Sequence, residues 1–242
     1  MQARDALQLR RNSLSADWFA RGISKGLTKR DSGELAGGIL PILYPKGSVL
    51  FLEGQLATGV FLLRTGRAKE SMVSSTGKTA IVRILGSGVI LGLSAVLTGA
   101  LHESTVETLE PTQADFVWKV PFLDFLKNSP QLGQIVARQL SRDCKDAYAS
   151  IRCLGVSESV AERLARLLLH WAECPLPGQD RDMAGVRIRV TLTHEEISQF
   201  IGSTRETTSR TLGEFREKKW ITVNGSVWTI TNERAIRHLA AL

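Results

Sequence analysis

At 242 residues the chain is long enough for one or two domains with cores of their own. Its 43% hydrophobic and 23% charged residues are ordinary for a globular protein, and no window approaches the roughly 20 uninterrupted apolar residues of a membrane span. The net charge of +7 points to polyanionic partners, nucleic acid first, but it is unevenly spread: +4 over residues 1–33, +2 over 34–154 and +1 over 155–242. Particular arginines therefore have to carry any such argument. Gln2-Ala3-Arg4-Asp5 opens no apolar signal-peptide core, so a cytoplasmic protein is expected. Cys144, Cys153 and Cys174 have no CxxC spacing, and His102, His170, His194 and His238 are scattered. With no nucleophile–base constellation and no phosphate-cradling glycine loop, we expect no catalytic residue, no metal site, no cofactor and no enzyme.

In chain order, residues 1–33 read as a polar, basic arm with a short helix over Asp17–Ile23. Residues 34–121 have β texture. Strands are expected at Val49–Glu53, Val60–Arg64, Ala68–Val73, Thr79–Leu85, Thr105–Leu109 and Ala114–Val120, with Ser75-Thr76-Gly77-Lys78 as a hairpin turn. Short, evenly spaced strands punctuated by glycine predict a barrel or jelly roll. The apolar stretch Val89–Leu101 would be its core or the lining of a pocket.

Residues 122–156 read as a dimerisation helix and a hinge, with Pro130 followed by a long helical pattern. Leu132, Val136, Leu140, Ala147, Ile151 and Leu154 recur at spacings of three and four or their multiples, interrupted by Asp143 and Cys144. Such a stripe pairs with its twin in a homodimer or packs on the chain's own barrel; pairing is the preferred reading. Gly155 ends the helix. Ser157 is the expected cap of the next, with Val160, Leu164, Leu167, Leu168 and Trp171 on its apolar face and Cys174-Pro175-Leu176-Pro177-Gly178 as its breaker.

The most informative stretch follows. Val186–Val190 alternates as a strand. Thr193-His194-Glu195-Glu196 is a capping box before a short helix whose Ile197, Phe200 and Ile201 face inward. Gly202 stops that helix, and Ser203 or Thr204 caps a second one running through Arg210 to about Lys218. Two short helices about a glycine turn make a helix-turn-helix. Then Asn224-Gly225, between two β-rich runs, predicts a type I′ hairpin, which completes a winged helix-turn-helix over 157–242. Glu206 and Arg210 share a helix face beside Arg205, where arginine can grip guanine and glutamate can accept from cytosine. Ser203, Thr204, Thr207, Thr208 and Ser209 are candidate phosphate contacts at the helix start. Against this stands an ordinary solvated helix with an internal Glu206–Arg210 pair.

Leu192 through Arg210 resembles the helix-turn-helix signature of the Crp/Fnr family, and Arg205-Glu206-x-x-x-Arg210 is similar to the triplet of its cyclic-AMP-binding branch. The resemblance continues upstream through Tyr44-Pro45-Lys46-Gly47, Phe51-Leu52-Glu53-Gly54, Gly59 to Gly66 and Gly86 to Gly92. It implies an α+β chain with an N-terminal cyclic-nucleotide-binding-like β-roll, a dimerisation helix and a C-terminal winged helix. It also implies a palindromic TGTGA-like DNA site, homodimerisation and RNA polymerase as a partner.

The effector cassette departs from the family pattern. Leu93 follows Gly92 where a glutamate for the ribose is expected. His102-Glu103-Ser104-Thr105 stands where an arginine-serine pair for the cyclic phosphate is expected, so Glu103 replaces the arginine. A carboxylate repels what an arginine fork would hold. The expectation is a DNA-binding regulator not controlled by cyclic AMP, with room for a different small-molecule effector. The alternatives are a regulator responding to cyclic AMP through an altered pocket, or to another small ligand or haem. For haem, His102 and Cys144 are the available ligands, though a loop histidine is more often plain surface. The lack of cysteine before Cys144 argues against the iron–sulfur branch.

Overall fold

The computed structural model describes residues 39–155, 159–173, 181–182 and 185–240. The helix expected at 17–23, the Ser157 cap and the breaker at 174–178 lie outside the described residues. The chain forms two compact units, one comprising the chain up to Met72 with Ile84–Lys145, the other Val73–Arg83 with Asp146 onward.

The β-roll is built on β1 (Ile39–Tyr44), β2 (Val49–Phe51), β3 (Gly59–Thr65), β4 (Ala68–Val73), β5 (Thr79–Leu85), β6 (Ile90–Leu91), β7 (Thr105–Thr108) and β8 (Thr112–Trp118), all of the first unit except Val73 and most of β5. They make two four-stranded sheets, β1-β8-β3-β6 and β2-β7-β4-β5. β1 is not among the expected strands. Its Pro41 reads against a strand, yet β1 lies at a sheet edge, where a missing N–H does little harm. In β3, a Cβ on Gly59 would overlap the Val117 carbonyl and come within 2.6 Å of the Phe116 ring, so the approach to β8 requires glycine.

Leu50, Phe51, Leu63, Leu91, Val106 and Ala114, drawn from both sheets, fill the roll. A second core joins the β1-β8-β3 sheet to helices: Val60, Leu62 and Val117 meet Leu93 and Val96 of α1 (Leu93–Thr98), Phe122 and Phe125 of α2 (Lys119–Asn128), and Leu132 and Val136 of α3 (Pro130–Gly155). The stretch Val89–Leu101 is thus largely core, with Leu97 and Leu101 at its exposed edge.

The long helix begins at Pro130, because the proline forces Ser129 into an extended conformation (φ −120°, ψ 97°), while the Ser129 hydroxyl accepts from the Leu132 amide and caps α3. One expectation about it is corrected: the apolar stripe is not one seam. Leu132 (0% exposed) and Val136 (5%) are buried in the chain's own core, and Leu140 packs against it. Ala147 is half-buried, Ile151 is 61% exposed beside an exposed Tyr148, and the Leu154 side chain lies outside the described residues. Between these halves Gln139 (3% exposed) binds β6 twice: its Oε1 accepts from the Ile90 amide at 2.9 Å and its Nε2 donates to the Ile90 carbonyl at 2.6 Å.

The second unit carries α4 (Val160–Glu173), β9 (Arg181–Asp182), β10 (Gly185–Arg189), α5 (His194–Ile201), α6 (Arg205–Glu217), β11 (Ile221–Asn224), β12 (Val227–Ile230) and α7 (Glu233–Leu239). Ser159 caps α4, accepting from the Glu162 amide at 3.1 Å. Its antiparallel sheet runs β11-β12-β10-β9, and Leu164, Leu168, Ile188, Ile197, Ile201, Phe215, Trp228 and Ile236 form the core. The wing hairpin turns on Gly225-Ser226, with Asn224 still paired to Val227, and of the two loop residues only Gly225 has positive φ (57°). That pattern excludes the type I′ turn expected at Asn224-Gly225: one residue of register moves the positive φ to the first central position.

Candidate nucleic-acid interface and effector pocket

The helix-turn-helix is held by local chemistry. Thr193 Oγ1 accepts from the Glu196 amide at 3.1 Å, and Glu196 Oε2 accepts from the Thr193 amide at 2.9 Å. Gly202 ends α5 in the left-handed region (φ 60°). At this turn Arg163 Nε of α4 donates to the Ile201 carbonyl at 2.6 Å, placing a cation at the negative end of α5. Thr204 caps α6, accepting from the Thr207 amide at 3.2 Å.

The inner face of α6 is fixed by Thr208, Thr211, Leu212 and Phe215, all buried. Its outer face presents Arg205, Glu206 and Arg210, all exposed. Among the described residues no hydrogen bond or ion pair engages the side chain of any of the three, so the internal Glu206–Arg210 pair is not formed. Thr204 is exposed, and Ser203, Thr207 and Ser209 are half-buried beside it. Thr208 is withdrawn as a phosphate contact. It is 0% exposed and its Oγ1 has no partner, because its position falls on the core side of the helix. Sequence reasoning passed over His194, whose Nδ1 lies 2.8 Å from Ser209 Oγ. Its only sequence signal was a polar residue at the first position of α5.

In the first unit the cassette residues are gathered, but toward the protein itself. Leu93 (3% exposed) is core. Glu103 is exposed and accepts from Ser94 Oγ at 2.7 Å. Ser104 (7% exposed) donates to Glu70 Oε1 at 2.5 Å, and Thr105 Oγ1 accepts from the Glu53 amide at 3.0 Å. Glu70 was also missed, since nothing in β4 marks it as a partner of a serine 34 residues on. His102 is not plain surface: it is buried and stacked on Phe51 with centroids 3.8 Å apart, next to Gly92. Burial pushes its imidazole below the usual histidine range, against the opposing pull of Glu103. Cys144 is a free, exposed thiol. Among the described residues no three His, Cys, Asp or Glu side chains form a metal-binding group, and no helix is long and apolar enough to cross a membrane.

Residues 41–129 match the family of cyclic nucleotide-binding domains, and residues 162–239 that of Crp-like helix-turn-helix domains. The chain is 30% identical over 190 residues to the anaerobic regulatory protein of Aggregatibacter actinomycetemcomitans, spanning 77% of this chain and 71% of that protein. It is 25% identical over 219 residues to a CRP-like cAMP-activated global transcriptional regulator of Mycobacterium tuberculosis, spanning 89% and 95%. Among solved structures it resembles in fold FixK2 from Bradyrhizobium japonicum, with a TM-score of 0.72, 19% identity and coverage of 84% and 98%.

Proposed function

The chain belongs to the Crp/Fnr family of transcriptional regulators, and from that premise we propose that it acts as a homodimer on a palindromic TGTGA-like DNA site without control by cyclic AMP. The observation that carries the DNA reading is the outer face of α6. Arg205, Glu206 and Arg210 are exposed and unengaged on a helix whose other face is locked into a core, so no internal pair has to break before they reach base edges. Ser203, Thr204 and Thr207 flank them as phosphate contacts.

In this reading residues 34–121 sense, 122–156 dimerise and hinge, and 157–242 bind DNA. With Leu132 and Val136 committed to the core, pairing uses the outer face of α3, where Tyr148 and Ile151 are exposed. The dimer works in the cytoplasm, with RNA polymerase as its further partner. The cassette supports independence from cyclic AMP: Leu93 offers the ribose nothing, Glu103 opposes the phosphate, and Ser104 is already bound to Glu70. Any effector therefore has different chemistry.

The test is fluorescence anisotropy of a labelled palindromic TGTGA duplex with and without cyclic AMP. Tight, sequence-selective binding that ignores the nucleotide is expected. Binding only in its presence would favour the cyclic-AMP-responsive alternative, in line with the mycobacterial relative.

A further inference from the structure

We propose that the His102 side chain is a built-in occupant of the effector site, and that the chain binds DNA without any small-molecule effector. This rests on the DNA-binding reading of α6 and narrows it, since independence from cyclic AMP alone leaves an effector of other chemistry open.

His102 lies in the short loop between α1 and β7, where a ring ordinarily stays at the surface. Here both backbone groups are tied to the loop after β2. The His102 N–H donates to the Gln55 carbonyl at 2.9 Å, and its carbonyl accepts from the Gly54 N–H at 2.8 Å. The ring goes inward and leaves the residue only 6% exposed. It lies nearly parallel to Phe51, at an interplanar angle of 12°. Behind Phe51 stands Phe61 at 6.1 Å, and against Phe61 stand Phe116 at 4.9 Å and Tyr44 at 6.4 Å between centroids. Gly92 is so near that a Cβ on it would lie 3.0 Å from His102 Cε1. Burial holds the imidazole neutral, as a ring packed among aromatic groups has to be.

A ligand site keeps a few polar groups in reserve to fix what it binds. This cassette keeps none. Ser104 donates to Glu70, Glu103 accepts from Ser94, and Thr105 accepts from the Glu53 amide. Among the described residues the buried polar side-chain atoms without a partner belong to Asp115, Arg166 and Thr208, none of them in the cassette. Ring, side-chain polar groups and loop backbone are thus all engaged by the chain itself. An effector would have to displace a buried stack and break these bonds before making any of its own.

His102→Ala removes the ring and leaves its space to a molecule of the same shape. At about pH 8, where free imidazole is neutral, this variant should melt about 5–10 °C below the wild type, and imidazole on the order of 10 mM should restore part of the loss. The wild type should not respond to imidazole. His102→Phe, which keeps a ring on Phe51, should melt with the wild type, and a clear fall there would overturn the proposal even if His102→Ala does not fold. A His102→Ala variant that melts with the wild type, or that imidazole does not raise, would overturn it too. For the DNA arm, the wild type as purified should select a sequence from a randomised duplex pool, and native mass spectrometry of the same sample should give the bare chain or its dimer. One small molecule bound per chain would refute effector independence. So would selection that appears only after the small-molecule fraction of a cell lysate is added, and in that case only the present inference falls. If no sequence is selected under either condition, the reading of α6 falls with it, while the imidazole arm still decides whether His102 fills the site.

Discussion

Replacing Gln139 by leucine removes two hydrogen bonds from a buried edge and leaves the shape nearly unchanged. β6 is the last strand of its sheet, and edge strands leave backbone groups unpaired. Here the carboxamide supplies both missing partners, accepting from the Ile90 N–H and donating to its carbonyl, as a neighbouring strand would. Both groups are covered, since Ile90 is 3% exposed and Gln139 equally so. Each orphaned buried group costs about 1–3 kcal/mol, so Gln139→Leu should destabilise the first unit by about 2–6 kcal/mol. That is a large share of a domain's usual margin of about 5–15 kcal/mol. Gln139→Glu keeps the acceptor but loses the donor. Its buried acid binds a proton more tightly folded than unfolded, so that variant should recover stability as pH falls. Calorimetry gives the midpoint, and hydrogen exchange of the Ile90 amide gives the local opening. A leucine variant with the wild-type midpoint and an equally protected Ile90 amide would refute the reasoning.

Arg210→Ala should weaken binding to the selected site by about 1–3 kcal/mol per half-site and relax preference at one base pair, without moving the melting temperature, because Arg210 is exposed and no internal partner is lost. Anisotropy on matched and substituted duplexes checks it, and uniform weakening would make Arg210 a phosphate contact. His102 should make the fold acid-sensitive: its imidazole is held below the usual range, so the unfolded chain binds the proton first, and stability falls as pH drops below about 6.5 toward the folded-state value. His102→Phe, which preserves an aromatic stack on Phe51, should flatten that part of the pH profile of thermal unfolding. An identical slope in both proteins would count against it.

Much of the second unit was legible because its signals are local. The Thr193 box, the Gly202 stop and the Thr204 cap are hydrogen bonds spanning three or four residues, and a sequence window contains both partners. The hairpin Ala68–Val73 to Thr79–Leu85 matched its expected limits for the same reason. Helical period alone put Glu206 and Arg210 on one face beside Arg205, and the structure shows that face exposed, opposite the buried Leu212 and Phe215. The wing was placed correctly, but its turn was off by one residue, since Asn-Gly fixes that a turn occurs and the strand register decides which residues it uses.

The sequence by itself thus determined a glycine-punctuated run of strands ahead of a helix-turn-helix and wing, written in short-range spacing, and its resemblance to the Crp/Fnr family. Tertiary structure alone decided who faces whom. Leu132 and Val136 lie on an apolar stripe that could serve a partner helix or the chain's own sheet, and only packing shows that the sheet takes them. The pairs Ser104–Glu70, Gln139–Ile90 and His194–Ser209 join residues 34, 49 and 15 positions apart. Periodicity marks a face as buried or a polar group as needing a partner, and it carries no information on which distant segment the folded chain brings there.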